Sequence, residues 1–234
     1  MTWKKIEVNN DSTGFILNGS PVFNKKFCKV LKFHTPGIAP VQDDNGWYHI
    51  DANGSELYKA RYKRTFGFYY NRASVKDHSV NCFHINTKGE RVYETNYLWT
   101  GNFQESVCVV SDINNKYFHI DLYGNKLYTE KYMYAGDFVN TIACVKDKNG
   151  WKHIHKNGKD LNGKYFFDLG VFHKGFATAK DDKGWFHINQ NGEEIYPGRY
   201  ALIEPFYNGF ALVSDKMNKK IIIDETGKQV LKIS

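Results

Sequence analysis

Short runs of alternating apolar and polar residues recur along the whole chain. Ala39 and Val41 share one face of an extended run, and Tyr48 and Ile50 share one face of the next run, with Trp47 on the opposite face. Alternation with a period of two residues predicts β-strands. We therefore expect short strands, and the second of these two is bulky enough to be buried on both faces.

Asp-x-x-Gly sequences separate these runs. One extends from Asp43 to Gly46 and the next from Asp51 to Gly54. In a type I turn the Asp side chain accepts hydrogen bonds from backbone N–H groups, and glycine tolerates the positive φ that follows. The alternating runs are therefore expected to form antiparallel meanders.

A glycine recurs at intervals of 34 or 35 residues, with an apolar residue three positions after it and aromatic residues eight and fourteen positions after all but the last. Self-similarity at a fixed period of this length indicates a repeat architecture. We predict seven units in a single domain over residues 1–234. The recurrent glycines are Gly19, Gly54, Gly89, Gly124, Gly158, Gly192 and Gly227. The predicted units are approximately 1–32, 33–67, 68–102, 103–137, 138–171, 172–205 and 206–234.

Strands that are buried on both faces result when small sheets stack side by side, as the blades of a β-propeller do. The sequence therefore predicts an all-β, propeller-like tandem repeat of meanders of about 35 residues. An open β-hairpin solenoid is the alternative. A helix longer than about three turns within residues 38–227 would contradict both.

The composition agrees with a folded, soluble protein. The chain is 41% hydrophobic and 16% aromatic, which is ample for a core. Neither a signal-peptide stretch nor a run of the ~20 apolar residues that span a membrane is apparent. We expect a cytoplasmic location without membrane association, with secretion lacking a recognisable signal peptide left open. The cysteines, expected to be reduced thiols without metal-ligand spacing, are Cys28, Cys82, Cys108 and Cys144.

The net charge of +7 is spread over the chain, with one local concentration in the first two connecting segments. This concentration is either a solvated face or a patch for an acidic partner. Its members, the candidate binding patch, are Lys25, Lys26, Lys29, Lys32, Lys59, Arg61, Lys63 and Arg64.

A histidine stands five residues before five of the recurrent glycines. A metal ion needs its imidazoles within ~2.1 Å, whereas packed sheets place equivalent residues ~10 Å apart. We therefore expect these histidines to be structural, and we expect neither a metal nor a cofactor. The column comprises His49, His84, His119, His153 and His187.

Other polar residues either follow the repeat or break it. An aspartate column that includes Asp147 precedes the hairpins and is explained by turn chemistry, so no catalytic residue is predicted. Residues that break their column are better candidates for function, because repeat packing does not demand them. The candidates of this kind are His34, Arg72, His155 and His173.

Three Trp-containing triplets lie in phase with the glycine column, at residues 45–47, 149–151 and 183–185. With them the chain resembles the WG-repeat (Trp-Gly or KWG repeat) family of bacterial proteins over roughly residues 38–227. Residues 168–177 and 204–209 resemble the WG-repeat region that is joined to a methyltransferase domain in some bacterial proteins. The resemblance implies an accessory module without catalytic residues of its own.

The favoured function is therefore a non-catalytic binding or scaffold module that presents a repeat surface to a protein partner. One alternative is multivalent binding of a small ligand or glycan through the aromatic columns. The other is nucleic-acid binding through the basic patch, which would weaken steeply with salt. The stoichiometry of binding separates the first two hypotheses.

Overall fold

Antiparallel pairing of short strands organises the chain. The computed structural model describes residues 3–233. Over this range it contains 22 β-strands and one 3-10 helix at Trp3–Lys5, without any α-helix. The strands of the described residues form seven sheets, six with three strands and one with four. The chain divides into two compact units, unit 1 (Met1–Lys126) and unit 2 (Leu127–Ser234).

Unit 1 contains sheets 1 to 4, each with its strands in sequence order. Sheet 1 comprises β1 (Ile6–Val8), β2 (Phe15–Leu17) and β3 (Ser20–Val22), and sheet 2 comprises β4 (Lys29–Val30), β5 (Ile38–Asp43) and β6 (Gly46–Asp51). Sheet 3 comprises β7 (Arg64–Thr65), β8 (Ala73–Lys76) and β9 (Cys82–Ile85), and sheet 4 comprises β10 (Trp99–Thr100), β11 (Val107–Ser111) and β12 (Tyr117–Asp121).

Unit 2 contains sheets 5 to 7, again in sequence order. Sheet 5 comprises β13 (Tyr134–Ala135), β14 (Ile142–Asp147) and β15 (Gly150–His155), and sheet 6 comprises β16 (Asp168–Leu169), β17 (Phe176–Asp181) and β18 (Gly184–Asn189). Sheet 7 comprises β19 (Leu202–Ile203), β20 (Phe210–Ser214), β21 (Lys220–Asp224) and β22 (Gln229–Ile233).

The sheets cross the boundaries of the predicted units. In sheets 2 to 7 the first strand has two residues and lies at the end of the preceding unit; β7, for example, falls within 33–67, whereas β8 and β9 fall within 68–102. A run of two residues is too short to show alternation, so the pattern did not predict it. The segment after β6 forms only isolated bridges, such as Ile50 with Glu56.

The recurrent glycine is explained by packing between neighbouring sheets. Gly89 has φ of 81°, and a Cβ at this position would lie 2.5 Å from the ring of Tyr58. Gly124 has the same relation to Tyr93, and Gly227 to Tyr196. Only glycine therefore combines the left-handed backbone of the turn with the close approach of a tyrosine from the preceding repeat.

The prediction of an all-β, propeller-like tandem repeat is confirmed. Both predicted turns beside β6 are present: Asp43 pairs with Gly46 at the hairpin, and Gly54 N–H bonds to Asp51 O at 3.0 Å. Ring closure and the single-domain organisation stay predictions.

In residues 3–233 no helix is long and apolar enough to cross a membrane. None of the four cysteines forms a disulfide, and three of them are buried.

Candidate binding surface

The column histidines lie inside the sheets and join neighbouring repeats. In unit 1, His84 Nδ1 lies 2.5 Å from the hydroxyl of Tyr93, and its Nε2 lies 3.0 Å from the carbonyl oxygen of Gly101. The imidazole also packs on Phe103, with ring centres 4.7 Å apart. We call this arrangement of histidine, tyrosine and carbonyl a latch. The same latch holds His49 in unit 1 and His187 in unit 2.

The partners fix the protonation state of each latch. A carbonyl oxygen only accepts, so Nε2 carries the hydrogen, and Nδ1 accepts the hydrogen bond that the tyrosine hydroxyl donates. Burial disfavours the imidazolium and lowers the histidine pKa to about 4. The four histidines with this lowered pKa are His49, His84, His153 and His187. They are therefore neutral at physiological pH.

One latch lacks its tyrosine. At the position equivalent to Tyr93 the repeat that contains His153 has Asn162, whose Nδ2 donates to the carbonyl oxygen of Gly192 at 2.8 Å. His153 keeps its bond to Gly170 O at 2.9 Å. Comparison of the repeats within the sequence shows this difference, because Asn162 interrupts a column that is otherwise aromatic from Phe23 to Tyr196.

The aspartates at the hairpins are used in turns. Asp77 Oδ1 accepts the N–H of Asn81 at 2.8 Å, and Asp147 Oδ1 accepts the N–H of Asn149 at 2.7 Å. No group of three or more His, Cys, Asp or Glu side chains among residues 3–233 is arranged to hold a metal ion.

Part of the predicted basic patch is structural. The Arg61 side chain is 17% exposed; its Nε lies 2.9 Å from Asp43 and another of its nitrogens lies 3.2 Å from Glu56. Its guanidinium carbon lies 3.6 Å above the ring of Tyr48. Arg199 in unit 2 is held in the same way by Asp181 and Glu194. Arg61 therefore belongs to a recurrent internal clamp.

Two lysines of the patch gather at the same carboxylate. Lys25 Nζ lies 2.8 Å from the hydroxyl of Tyr48 and 3.4 Å from Glu56, and these partners raise the pKa of Lys25. Lys59 Nζ lies 3.6 Å from Glu56. Glu56 thus partly neutralises the positive charge of Lys25, Lys59 and Arg61.

The remaining five members of the patch are exposed: Lys26, Lys29, Lys32, Lys63 and Arg64. Arg64 lies over two aromatic rings, with its guanidinium carbon 5.5 Å from the ring centre of Trp47 and 5.2 Å from that of Phe66. It is also paired with Lys76 across β7 and β8. Exposed positive charge therefore lies at the hairpin ends of sheets 2 and 3, where Lys29 pairs with Gln42 and Arg64 pairs with Lys76.

An apolar groove lies at the hairpin ends of sheets 3 and 4. Val80, Leu98 and Ile113, with exposed fractions of 44%, 45% and 88%, line it. Its volume is about 280 Å³. Trp99 follows Leu98, is 46% exposed and packs against Tyr117 with ring centres 6.3 Å apart. Large apolar side chains thus face solvent around one concave site.

We call the exposed hairpin-end side chains of sheets 2 to 4 the tip surface. It has a cationic part, formed by Lys29, Lys63, Arg64 and Lys116 with the half-buried Lys76 beside them, and an apolar part, formed by Val80, Leu98, Trp99 and Ile113. Three of these cations, Lys29, Lys63 and Arg64, were predicted from the sequence, whereas the apolar part was not. The signal was present, because the residue after the hairpin aspartate is apolar only at Ile113. Its equivalents are Asp44, His78, Lys148, Asp182 and Lys216.

The four column-breaking candidates do not come together. The ring of His34 lies 5.5 Å from that of Tyr69, and the ring of His173 lies 5.0 Å from that of Tyr207. Arg72 Nε donates to the carbonyl oxygen of Leu122 at 3.3 Å. His155 occupies a turn, where its carbonyl oxygen accepts the N–H of Gly158. These contacts are local, the Nε2 atom of His173 is buried without a hydrogen-bond partner, and the role of the four residues in function stays a prediction.

Two comparisons by sequence bear on the family. A family model described as a WG containing repeat matches residues 185–220, which lie in sheets 6 and 7. This match supports the resemblance to WG repeats in that segment. No curated protein matches the chain in sequence.

Solved structures share the fold. The chain is similar to a eukaryotic initiation factor with a TM-score of 0.58 and 14% identity, covering 98% of this chain and 72% of that chain. It is also similar to KlHsv2 with loop 6CD replaced by a Gly-Ser linker, with a TM-score of 0.50 and 9% identity, covering 98% and 97%. At such low identities the likeness concerns the fold alone.

Proposed function

We propose that this chain is a non-catalytic binding module that holds a protein partner on the tip surface. One observation carries the proposal: Ile113, which is 88% exposed, stands at a hairpin tip where the other hairpins have aspartate, histidine or lysine. Exposed apolar side chains beside cations are typical of interaction sites. His84, Arg61 and Asp77, and the equivalents described above, are already engaged in latches, clamps and turns.

The WG-repeat character is extended here from residues 185–220 to the other repeats, as the in-phase triplets at 45–47 and 149–151 suggest. An accessory role beside a separate catalytic protein, such as a methyltransferase, fits a module of this kind. The cytoplasmic location is part of the same proposal.

The test is affinity capture from an extract of the source cells, with bound proteins identified by mass spectrometry. A Lys63→Glu/Arg64→Glu variant should lose the partner, because it reverses two exposed charges of the tip surface. Lys88→Glu is the matched control, since Lys88 is exposed in the turn at the opposite end of sheet 3. Equal capture by both variants, or turnover of a small-molecule substrate by the purified chain, would reject the proposal.

A second candidate is stacking of a small ligand or glycan in unit 2. The rings of Tyr134 and Trp151 lie 5.3 Å apart, and Lys146 Nζ lies 5.2 Å from the ring centre of Trp151. Aromatic faces beside a cation suit a planar or sugar ligand. Titration with simple sugars, followed by tryptophan fluorescence, should then show saturable quenching that Trp151→Ala abolishes.

A further inference from the structure

We propose that the groove between the hairpins of sheets 3 and 4 receives a large apolar side chain from an acidic segment of the partner protein. This inference rests on the function proposed above and specifies the chemistry of the partner. Hereafter the site is the anchor groove, lined by Val80, Leu98 and Ile113 with Ser79, Asn81, Asn96 and Tyr97.

The equivalent surface between sheets 2 and 3 shows what the repeat itself requires. There Lys63 takes the place of Leu98, and His78 takes the place of Ile113. The fold therefore accommodates charged or polar side chains at both positions. Other repeats have apolar residues at the Leu98 position, such as Met133 and Phe167, so Ile113 is the part of the lining that the repeat does not explain.

The backbone of Val80 gives a second, independent indication. Val80 adopts φ of 71°, in the left-handed region. The five-residue hairpins of sheets 4 and 7 place Asn115 (φ of 59°) and Asn218 (φ of 62°) in that conformation. Asparagine adopts it readily, whereas a β-branched residue is strained there. Val80 thus has backbone strain that an asparagine would avoid, and its apolar side chain lines the groove.

The surrounding charge selects an acidic partner. Lys63, Arg64, Lys76 and Lys116 belong to the same tip surface as the groove. The carboxylates of the two hairpins turn toward their own backbones: Asp77 accepts the N–H of Asn81, and Asp112 accepts that of Lys116. A segment with Asp or Glu on both sides of one large apolar residue therefore matches the site in charge and in shape.

The probe is a short fluorescein-labelled peptide with one central phenylalanine flanked by glutamate and aspartate. Fluorescence anisotropy should show saturable binding to the wild-type chain. Ile113→Asp, which installs the side chain that stands at the equivalent positions in sheets 2 and 6, should weaken binding about tenfold or more. Leu98→Lys should act in the same direction. Tyr123→Lys is the matched control, because Tyr123 is 73% exposed in the turn at the opposite end of sheet 4.

A second peptide, with serine in place of the phenylalanine, isolates the contribution of the anchor. The affinity of the serine peptide for the wild-type chain should be as low as the affinity of the phenylalanine peptide for the Ile113→Asp variant. Equal binding of the two peptides, equal binding by Ile113→Asp and Tyr123→Lys, or absence of binding would overturn the inference. Displacement of the peptide by single-stranded DNA at equal charge, or a dimer that Ile113→Asp dissociates in ultracentrifugation, would assign the groove to another occupant and overturn it equally.

The two proposals fail in different ways. If Lys63→Glu/Arg64→Glu abolishes capture of the partner while Ile113→Asp and Leu98→Lys retain it, the tip surface binds a partner and the anchor groove does not. If none of these variants changes capture, the proposed function itself is wrong. Unchanged thermal unfolding of each variant shows that the effects arise from the surface.

Discussion

The latches and the tip surface obey opposite rules within the same repeats. His84 and its equivalents are buried, and they have nearly the same partners in unit 1 and unit 2. At the tips the backbone also repeats, yet Ile113 stands where other units have aspartate, histidine or lysine. The residue type inside the sheets is therefore determined by packing between repeats, whereas the residue type at the tips can be determined by a binding partner.

The largest expected effect is acid unfolding through the latches. In four latches the histidine pKa falls to about 4 in the folded chain, against an ordinary value of about 6.5 in the unfolded chain. The unfolded state therefore binds more protons between these values. The stability they contribute is complete above about pH 6.5 and decreases as the pH falls toward 4.

The slope in that window should approach about 1.4 kcal/mol per pH unit for each latch histidine. Urea unfolding at a series of pH values measures it. His84→Asn should make the slope shallower, since one buried group that resists protonation is gone. A free energy of unfolding that is constant from pH 7 to pH 4.5 would show that the latches are hydrated or already protonated.

The next effect distinguishes two members of the glycine column. Gly89→Ala should cost about 3 kcal/mol or more, because strain at positive φ adds to overlap with the Tyr58 ring. Gly19→Ala should cost only about 1–2 kcal/mol, since φ is 79° there and nothing lies within 4 Å of the new methyl group. Chemical denaturation of both variants checks the difference, and equal losses would contradict the packing explanation.

The periodic features of the fold were predictable, and the reasons are physical. Gly89, His84 and the Phe103 column recur with a fixed period, so the chain itself contains several copies of the evidence for their burial. The two-residue strands such as β7 were not predictable, because they carry no alternation and form only by pairing with the next repeat. The packing of Tyr58 under Gly89 was not predictable either, because only the fold brings these two residues of neighbouring repeats together.

The candidate site was only partly predictable, because charge in sequence does not show pairing in space. Arg61 stood among unopposed cations in the chain order, yet Asp43 and Glu56 hold it. Ile113 breaks its column clearly, but a single exposed apolar residue is ordinary at a surface. Its significance comes from Val80 and Leu98, which only the fold brings beside it.

A moderate effect should separate the complete latch from the incomplete one. His84→Ala should cost about 2–3 kcal/mol, since the Tyr93 hydroxyl and the Gly101 carbonyl both lose a partner and a cavity remains. His153→Ala should cost about 1 kcal/mol less, because Asn162 replaces the tyrosine. Denaturation midpoints of the two variants measure this. Equal losses would show that the tyrosine hydrogen bond contributes nothing to stability. A rise in the melting temperature with added zinc, abolished by His84→Ala, would show that the column histidines bind metal and would overturn their structural role.

The smallest expected effect is the change in the free energy of unfolding when tip residues are substituted. It tests directly the contrast between the buried latches and the exposed tip surface. Ile113 is 88% exposed, so Ile113→Asp removes little buried area, and in Leu98→Lys the aliphatic part of the lysine can cover the surface that the half-buried leucine covered. Their free energy of unfolding should stay within about 0.5 kcal/mol of the wild type. Val80→Asn should stabilise the chain slightly, because asparagine adopts the left-handed conformation that strains valine. A loss above about 2 kcal/mol in Ile113→Asp, a size typical of core substitutions, would mean that this side chain packs within the repeat. The tips would then be part of the scaffold, and the distinction between interior and surface positions would fail at the place where it matters for binding.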